Sequence, residues 1–323
     1  MGNCASTSRC PPAGKQVDDY DNDDDDVYSI EKSPGFMTTP DQSTAPRTIL
    51  AGPISPNLHS QCAYLLPILS LLASEKPTLR VLDIGSGSGH LTIELALSLP
   101  SAQIIGTDAC SAILSSARTF ASYAGANNLT FQTADAHSLP FPDNSFDLIH
   151  THQALAHFHS PVLAIKEMLR VTRPGGKICI REGDLTTARF WPEDEVLKEC
   201  FDVIREVHGR DGGTVDAGMR LGGWVREAGV RAGRVERSCS AGWVESERER
   251  REYGGHWPGR CGGGVFREAA MELGVGSDRL DESVLVFFKL YIQHDDNRKT
   301  FGTATGQAEE THFSKEIDTW QAR

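Results

Sequence analysis

The chain has 323 residues, of which 39% are hydrophobic, and its 32 basic and 44 acidic side chains give a formal net charge of −12. This length accommodates one large domain with additions, and the apolar fraction is enough for a packed core. The acidic balance argues against a nucleic acid as the main partner, because phosphate binding needs clustered Lys and Arg.

The first 48 residues are predicted to form a disordered acidic arm. They carry nine acidic and four basic side chains and are rich in Ser, Pro, Thr and Gly. Such a segment cannot bury enough apolar surface to offset the entropy that it loses on ordering. A calcium loop that begins at Asp21 is excluded, because Asp26 stands where Gly is required and Lys32 where Glu is required.

The sequence MGNCAS (1–6) matches the pattern for N-myristoylation, with Gly2 as the acceptor and Cys4 available for palmitate. Two acyl chains anchor a protein stably, whereas one gives only marginal binding. The nearby Asp run would be repelled by an anionic leaflet, and an unmodified start is the alternative. A membrane contact is therefore expected only if Gly2 is acylated.

Other features of the sequence favour a cytoplasmic chain. No apolar run approaches the roughly 20 residues of a membrane-spanning helix. The first residues lack the apolar segment of a secretory signal. The eight cysteines are scattered without a C-x-x-C pair, which favours a reducing compartment over a disulfide framework.

Strands and helices are predicted to alternate from about residue 56. Short apolar runs that end in Gly or a polar residue are typical of buried strands, and the intervening segments have helical spacing. The predicted strands are 80–85, 103–108, 129–135, 146–152 and 176–182, and the predicted helices are 59–75, 90–100, 111–125 and 160–172. This alternation predicts an α/β core over 49–184, built as a doubly wound and mostly parallel sheet with helices on both faces.

The C-terminal part is predicted less regularly. Residues 185–293 are expected to form a helical substrate cap, with helices at 194–209 and 217–230, and to complete the sheet. The apolar run at 281–293 is the strongest strand candidate there. Residues 294–323 are polar and are expected to form a loose tail.

The loop in VLDIGSGSGH (81–90) is the strongest sign of a binding site. It follows a predicted strand and precedes a helix, and open parallel sheets bind ligands at that edge. Its pattern D-x-G-x-G-x-G does not match the dinucleotide fingerprint G-x-G-x-x-G, and it lacks the Gly-Lys-Ser/Thr of a Walker A loop. Asp83 would repel a pyrophosphate but suits a cationic ammonium group.

Two further acids end the next two predicted strands. Asp108 is placed to accept hydrogen bonds from a ribose diol, and Asp135 from an exocyclic amino group of adenine. A ligand that combines an ammonium group, a free ribose and an adenine is S-adenosylmethionine, which the sequence therefore predicts as the cofactor.

Four segments resemble the class I S-adenosylmethionine-dependent methyltransferases, most closely the ubiquinone/menaquinone C-methyltransferase-like branch. They are 81–90, IIGTDA (104–109), TADAHSLPFPDNSFDLIHTHQALAHF (133–158) and LRVTRPGGKICIREGD (169–184). The resemblance covers about 59–260 and implies a Rossmann-like methyltransferase fold. Members of this family usually end in a Trp-containing β-hairpin, which 281–323 matches poorly; 283–292 is the candidate for its strand.

The resemblance also implies cofactor contacts at the ends of the first four strands. Gly85, Ser86 and Gly87 would line the methionine portion, and Asp108 and Ala109 would hold the ribose. Asp135 and Ala136 would hold the adenine, and His152 and Gln153 would face the sulfonium.

Two residues are candidates for proton transfer, which methylation requires only when the acceptor carries a proton that must leave. His157 is one, with a structural hydrogen-bonding role as the alternative. Asp184 is the other, with pairing to Arg181 or Arg189 as the alternative. No metal is expected, because the histidines between 150 and 159 have no Cys or carboxylate at the usual ligand spacings.

The predicted activity is methyl transfer to oxygen or carbon of a small organic molecule. The fourth strand is not followed by Asn/Asp-Pro-Pro-Tyr/Phe, which argues against methylation of nitrogen in nucleic acid or protein. The alternatives are an aminopropyl transferase that uses the same site, a non-catalytic S-adenosylmethionine-binding module and a lipid-tethered scaffold.

Overall fold

The structure is a computed structural model, and it describes residues 58–191, 195–210, 212–244, 264–291 and 302–314. The acidic arm and the acylation motif that the sequence predicts lie outside these residues.

The helices and strands follow one another along the chain as an alternating α/β segment and then a C-terminal region. The helices are α1 (Leu58–Gln61), α2 (Leu65–Glu75), α3 (His90–Ser98), α4 (Ser111–Ala124), α5 (Pro161–Val171), α6 (Glu195–Arg210), α7 (Ala217–Glu227), α8 (Gly264–Glu272) and α9 (Ser277–Tyr291). The strands are β1 (Arg80–Ile84), β2 (Gln103–Asp108), β3 (Leu129–Thr133), β4 (Phe146–His152), β5 (Thr172–Gly183), β6 (Arg189–Trp191), β7 (Val235–Val244) and β8 (Gly302–Ser314).

Five parallel strands form the sheet that positions the site, in the order β3-β2-β1-β4-β5. Strand β1 pairs with β2 on one side, with Asp83 opposite Gly106, and with β4 on the other, with Asp83 opposite His150. The chain order therefore reverses between β1 and β4, which is where open α/β sheets bind ligands. The doubly wound fold class is confirmed.

The sheet has a hydrophobic core on each face because successive side chains of a strand point to opposite sides. In β1, Val81 packs into one core and Leu82 and Ile84 into the other. Helices α2, α3 and α4 cover the first face, and α5 and α7 cover the second. Full burial of one such aliphatic side chain contributes about 1.5–3 kcal/mol, so these cores hold the carboxyl ends of the strands in place.

Strand β8 completes the sheet, so residues 302–314 do not belong to the loose tail predicted for 294–323. The rest of that predicted tail lies outside the described residues. Residues 302–314 pair antiparallel with β5, β6 and β7, and Ile178 lies opposite Phe313. The segment is polar, but an antiparallel ladder is made by backbone groups, which any non-proline residue supplies. Strand β7, which includes Trp243, pairs antiparallel with β8.

Helix α9 contradicts the strand predicted at 281–293, which falls mostly within Ser277–Tyr291. A short apolar run does not by itself distinguish a buried strand from a buried helix. Here the start of α9 packs Leu280 against Val207 of α6 and Ala270 of α8. None of the helices within the described ranges is both long enough and apolar enough to cross a membrane.

Candidate functional site

The glycine loop between β1 and α3 is folded tightly against β2. Gly85, Gly87 and Gly89 all have left-handed φ angles, of 73°, 52° and 81°. The backbone N–H groups of Gly85 and Ser86 donate to the carbonyl of Thr107 at 2.8 and 2.9 Å. A Cβ atom on Gly85 would lie 2.4 Å from the Cβ of Ala154, so this position excludes any side chain.

Asp83 lies beneath the loop and is only 3% exposed. The sequence predicts that it faces a cationic ammonium group, but the structure gives both of its carboxylate oxygens partners within the protein. Thr92 Oγ1 donates to Oδ2 at 2.5 Å, and His150 Nδ1 lies 2.7 Å from Oδ1. Asp83 thus supports the first turn of α3 from below, and its direct contact with a ligand stays a prediction.

His150 is fully buried beside Asp83 on β4. Burial alone would lower the pKa of His150, but the charge and hydrogen bond of Asp83 raise it to about 10. Its other nitrogen, Nε2, lies 3.8 Å from the buried Cys62 Sγ. A buried ion pair therefore crosses from β1 to β4 at the point where the strand order reverses.

Asp108 ends β2 and closes the loop. Its Oδ2 accepts a hydrogen bond from the Gly87 N–H at 3.0 Å, and its Oδ1 from the Cys110 N–H at 2.9 Å. Its side chain is half-buried and Ala109 is exposed. Each carboxylate oxygen accepts more than one hydrogen bond, so Asp108 can still receive the hydroxyls of a ribose.

Asp135 lies beyond β3 with its side chain 63% exposed, next to the buried Ala136. Its Oδ1 accepts from the His137 backbone N–H at 2.9 Å and lies 2.7 Å from His137 Nδ1. Partial burial opposes ionisation, but the contacts with His137 and the charge of His159 outweigh it and lower the pKa of Asp135. The carboxylate is thus oriented from one side, and its Oδ2 is available to a ligand.

His152 and Gln153 lie where β4 ends. Burial, followed by the positive charges of Arg181 and His150, lowers the pKa of His152 well below its usual value, so the ring is neutral. Arg181 donates to His152 Nε2 at 2.9 Å. Gln153 has a left-handed φ of 53°, and its side-chain amide lies 3.6 Å from where a Cβ of Gly183 would stand.

Asp184 follows β5 and is only 3% exposed. Its Oδ1 accepts hydrogen bonds from the Thr186 backbone N–H and Oγ1, at 2.8 and 2.6 Å. Its Oδ2 is buried without a hydrogen-bond partner. The alternative of a pair with Arg181 is not what the structure shows, since Arg181 contacts His152 instead.

His157 lies farther along, on a single 3₁₀ turn over Leu155–His157. Its ring packs perpendicular to that of His208 in α6, with the ring centroids 4.8 Å apart. The structure therefore places His157 against the C-terminal helical region and Asp184 against the sheet.

Glu182 is the site residue that sequence reasoning missed. Its side chain on β5 is fully buried and accepts hydrogen bonds from the backbone N–H groups of Ala154, Leu155 and Ala156, at 3.0, 2.8 and 3.3 Å. Burial raises the pKa of Glu182 to about 7, although the three N–H donors act in the opposite direction. The sequence signal that could have identified Glu182 is an acidic residue within a strand that the apolar pattern predicts to be buried.

The open groups around the loop fit S-adenosylmethionine. Ser86 Oγ is buried without a hydrogen-bond partner, and a Cβ on Gly87 would meet no atom nearer than Ile113 Cδ1 at 3.9 Å. Together with the carboxylates of Asp108 and Asp135, these features leave a polar cradle along the ends of β1, β2 and β3.

Comparisons with known proteins agree with this geometry. Residues 75–222 match the family model described as a methyltransferase domain. An uncharacterized methyltransferase of Schizosaccharomyces pombe is 33% identical over 192 residues, which cover 57% of this chain and 67% of that protein. A ubiquinone/menaquinone biosynthesis C-methyltransferase of Bdellovibrio bacteriovorus is 40% identical over 103 residues, which cover 32% of this chain and 43% of that protein.

The fold also matches a solved structure, that of a putative methyltransferase from an antibiotic biosynthesis pathway of Anabaena variabilis. The TM-score is 0.50 at 15% identity, and the match covers 77% of this chain and 97% of that one. With the relative in S. pombe matched over two thirds of its length, the chain belongs to the class I S-adenosylmethionine-dependent methyltransferases and resembles the ubiquinone/menaquinone C-methyltransferase branch.

Proposed function

We propose that this methyltransferase methylates oxygen or carbon of a small organic acceptor, and that Asp184 takes the proton that the acceptor loses. One observation carries the proposal: the buried Asp184 Oδ2 has no partner at the carboxyl end of β5. A buried, unsatisfied carboxylate oxygen is unfavourable unless a ligand completes it. An acceptor hydroxyl is a group of the right chemistry.

Methyl transfer requires little from the protein beyond the alignment of donor and acceptor and one group that takes a proton. Bound S-adenosylmethionine supplies a methyl group on a cationic sulfur, and the pair of electrons of the broken C–S bond returns to that sulfur. Asp184 accepts the hydroxyl proton as the acceptor atom forms its new bond to the methyl carbon. Correct placement of the reacting atoms contributes up to about 7–11 kcal/mol, and a positioned base typically adds 10²–10⁴-fold.

His152 and Gln153 would border the reacting atoms between the glycine loop and Asp184. A neutral His152 avoids repulsion of the cationic sulfonium, and its Nε2 is already held by Arg181. We place His157 as a second candidate base, because its turn adjoins α6. The quinone named for the Bdellovibrio relative makes phenols and quinols the first acceptors to test.

The test is turnover of purified full chain with isotope-labelled S-adenosylmethionine, against a panel of phenols, quinols and sterols and against a cell extract. Mass spectrometry of the labelled product identifies the acceptor and the methylated atom. Asp184→Asn is expected to lower kcat at least 100-fold while S-adenosylhomocysteine binds as in the wild type. His157→Gln, which removes the second candidate base, is expected to have the smaller effect.

Two results would contradict the proposal. Full turnover in Asp184→Asn would remove the assigned base, and preference for the decarboxylated donor would identify an aminopropyl transferase instead.

We also propose that the chain works in the cytoplasm and reaches a membrane only through acylation at Gly2 and Cys4. The support is the acylation pattern in residues 1–6. Cell fractionation of wild type and Gly2→Ala checks it: loss of a membrane-bound pool in the variant is expected, and equal distribution of the two proteins would contradict the tether.

A further inference from the structure

We propose that Glu182 is a positioning residue, which clamps the segment after β4 against the glycine loop and so assembles the S-adenosylmethionine site. Glu182 touches neither the loop nor a ligand site directly. It acts through Ala154, and the inference concerns the cofactor site whatever acceptor is methylated.

The clamp itself consists of three hydrogen bonds from backbone N–H groups to the carboxyl group of Glu182. Glu182 Oε1 accepts from the N–H groups of Ala154 and Leu155, and Oε2 accepts from that of Ala156. These three donors are consecutive, so a single carboxylate holds one complete turn of backbone. In the ionised form of Glu182, hydrogen bonds of this kind are roughly twice as strong as neutral ones.

Ala154 transmits this constraint to the glycine loop. Its side chain is 5% exposed, and a Cβ on Gly85 would lie 2.4 Å from the Ala154 Cβ. The Gly85 backbone therefore packs directly against the Ala154 side chain, with no space for a Cβ atom between them. A shift of Ala154 would open a gap beside Gly85, where the loop turns.

Gln153, which lies between β4 and Ala154, has a backbone conformation that the surrounding structure must maintain. Gln153 adopts a left-handed φ of 53°, which non-glycine residues rarely adopt. Such a conformation persists only where the surrounding structure imposes it. The Gln153 N–H donates to the Arg181 carbonyl at 2.8 Å, and the Glu182 bonds hold the residues that follow.

The same clamp extends to α7 and the segment before it. The Thr214 N–H donates to the Ala156 carbonyl at 2.7 Å. A Cβ on Gly218 would lie 3.0 Å from the Glu182 carbonyl oxygen, so the start of α7 packs directly on β5 at this residue. Glu182 thus connects the loop, the post-β4 turn and α7.

The experiment compares Glu182→Gln with Asp147→Asn in the full chain. Gln keeps the shape of Glu182 but replaces one acceptor oxygen with an N–H₂ donor that faces backbone N–H donors. Asp147 is an equally buried carboxylate at the opposite, amino-terminal end of the sheet, where it contacts Lys76 and Arg173. Both variants replace a buried carboxyl group with an amide of the same shape, so a general effect of the substitution on stability appears in both.

Two readouts decide the question. In the ligand-free protein, Glu182→Gln is expected to speed amide hydrogen exchange at least tenfold in peptides that contain Ala154–Ala156 and in those that contain Gly85–Gly87. It is also expected to weaken S-adenosylhomocysteine binding about tenfold by calorimetry. Asp147→Asn is expected to change neither. Glu182→Asp, which keeps the charge, is expected to recover part of the affinity.

Unchanged exchange at Gly85–Gly87 in folded Glu182→Gln would overturn the inference, as would an equal loss of affinity in Asp147→Asn. If the variant does not fold, Glu182→Asp carries the same two readouts. Neither result bears on Asp184, whose variant binds S-adenosylhomocysteine normally and fails only in turnover.

Discussion

The two ends of the parallel sheet treat buried carboxylates differently. At the amino-terminal end, Asp147 accepts from Lys76 at 2.6 Å and from Arg173 at 2.8 Å. Burial opposes its ionisation, but these cations and the Arg80 N–H outweigh burial and lower its pKa. At the carboxyl-terminal end, Glu182 has only backbone N–H donors as hydrogen-bond partners, and burial raises its pKa to about 7.

This difference distinguishes the amino-terminal end of the sheet, where the carboxylate has a structural role, from the carboxyl-terminal end, where ligands bind. The cations around Asp147 are partly exposed, with Lys76 and Arg173 side chains 40% and 37% exposed, so water shares in their solvation. At the other end, Glu182 is bonded to backbone N–H groups and Asp83 to Thr92 and His150. Asp184 is bonded to Thr186 through Oδ1 only. The end that binds ligands therefore holds the less compensated charges, as is common at functional sites.

The largest expected effect comes from removing a carboxylate at each end. Asp83→Ala leaves the fully buried His150 without its partner and is expected to lower the free energy of unfolding by about 3–5 kcal/mol. Asp147→Ala leaves cations that can turn to water, so we expect about 1–3 kcal/mol. Urea denaturation of both variants measures the difference. Equal losses would remove the contrast between the two ends.

The second effect is on the pH dependence of stability. Burial raises the pKa of Glu182 from its usual value of about 4.5 to about 7. Its contribution to stability is therefore complete below about pH 4.5 and is lost as the pH rises through 7. This amounts to about 3 kcal/mol. His150, with a pKa raised to about 10, loses its contribution only as the pH rises from about 6.5 through 10.

Unfolding of wild type and Glu182→Gln between pH 4.5 and 9 separates the two groups. The variant is expected to lose the decline between pH 4.5 and 7 and to keep the part above it. A wild-type stability that rises steadily over that range would contradict the raised pKa of Glu182.

The smallest effect on stability, with a large one on binding, is expected at the glycine loop. Gly85→Ala and Gly125→Ala place Ala at nearly equal left-handed angles, 73° and 70°, and this backbone conformation by itself costs about 1–2 kcal/mol in each variant. A Cβ on Gly125 meets no atom within 4 Å, whereas one on Gly85 collides with Ala154. Only Gly85→Ala is expected to lower S-adenosylhomocysteine affinity more than tenfold, as calorimetry would show.

The alternating core was predictable from local pattern. The apolar runs of β2 and β4 agree with the structure residue for residue, at 103–108 and 146–152. Local pattern also located the ligand-binding edge, because a strand followed by glycines and a helix defines it within ten residues. The roles of the site residues stay predictions, although the structure links the loop directly to Asp108.

The predictions from sequence are wrong where the secondary structure of a segment depends on a partner that is distant in the sequence. Strand β8 is polar and was assigned to a tail, yet it pairs with β5 about 130 residues earlier. The apolar run at 281–293 was assigned to a strand, but α9 packs against α6 and α8. Neither partner is visible in the local sequence.

The sequence by itself determined the order of the core strands and helices, the glycine loop and the kind of cofactor, because hydrophobic period and loop chemistry are local properties. Only the tertiary structure decided what each buried charge contacts. Asp83 contacts Thr92 and His150, and Glu182 accepts from three backbone amides. A buried carboxyl group needs hydrogen-bond partners, and only the fold determines which groups lie within reach.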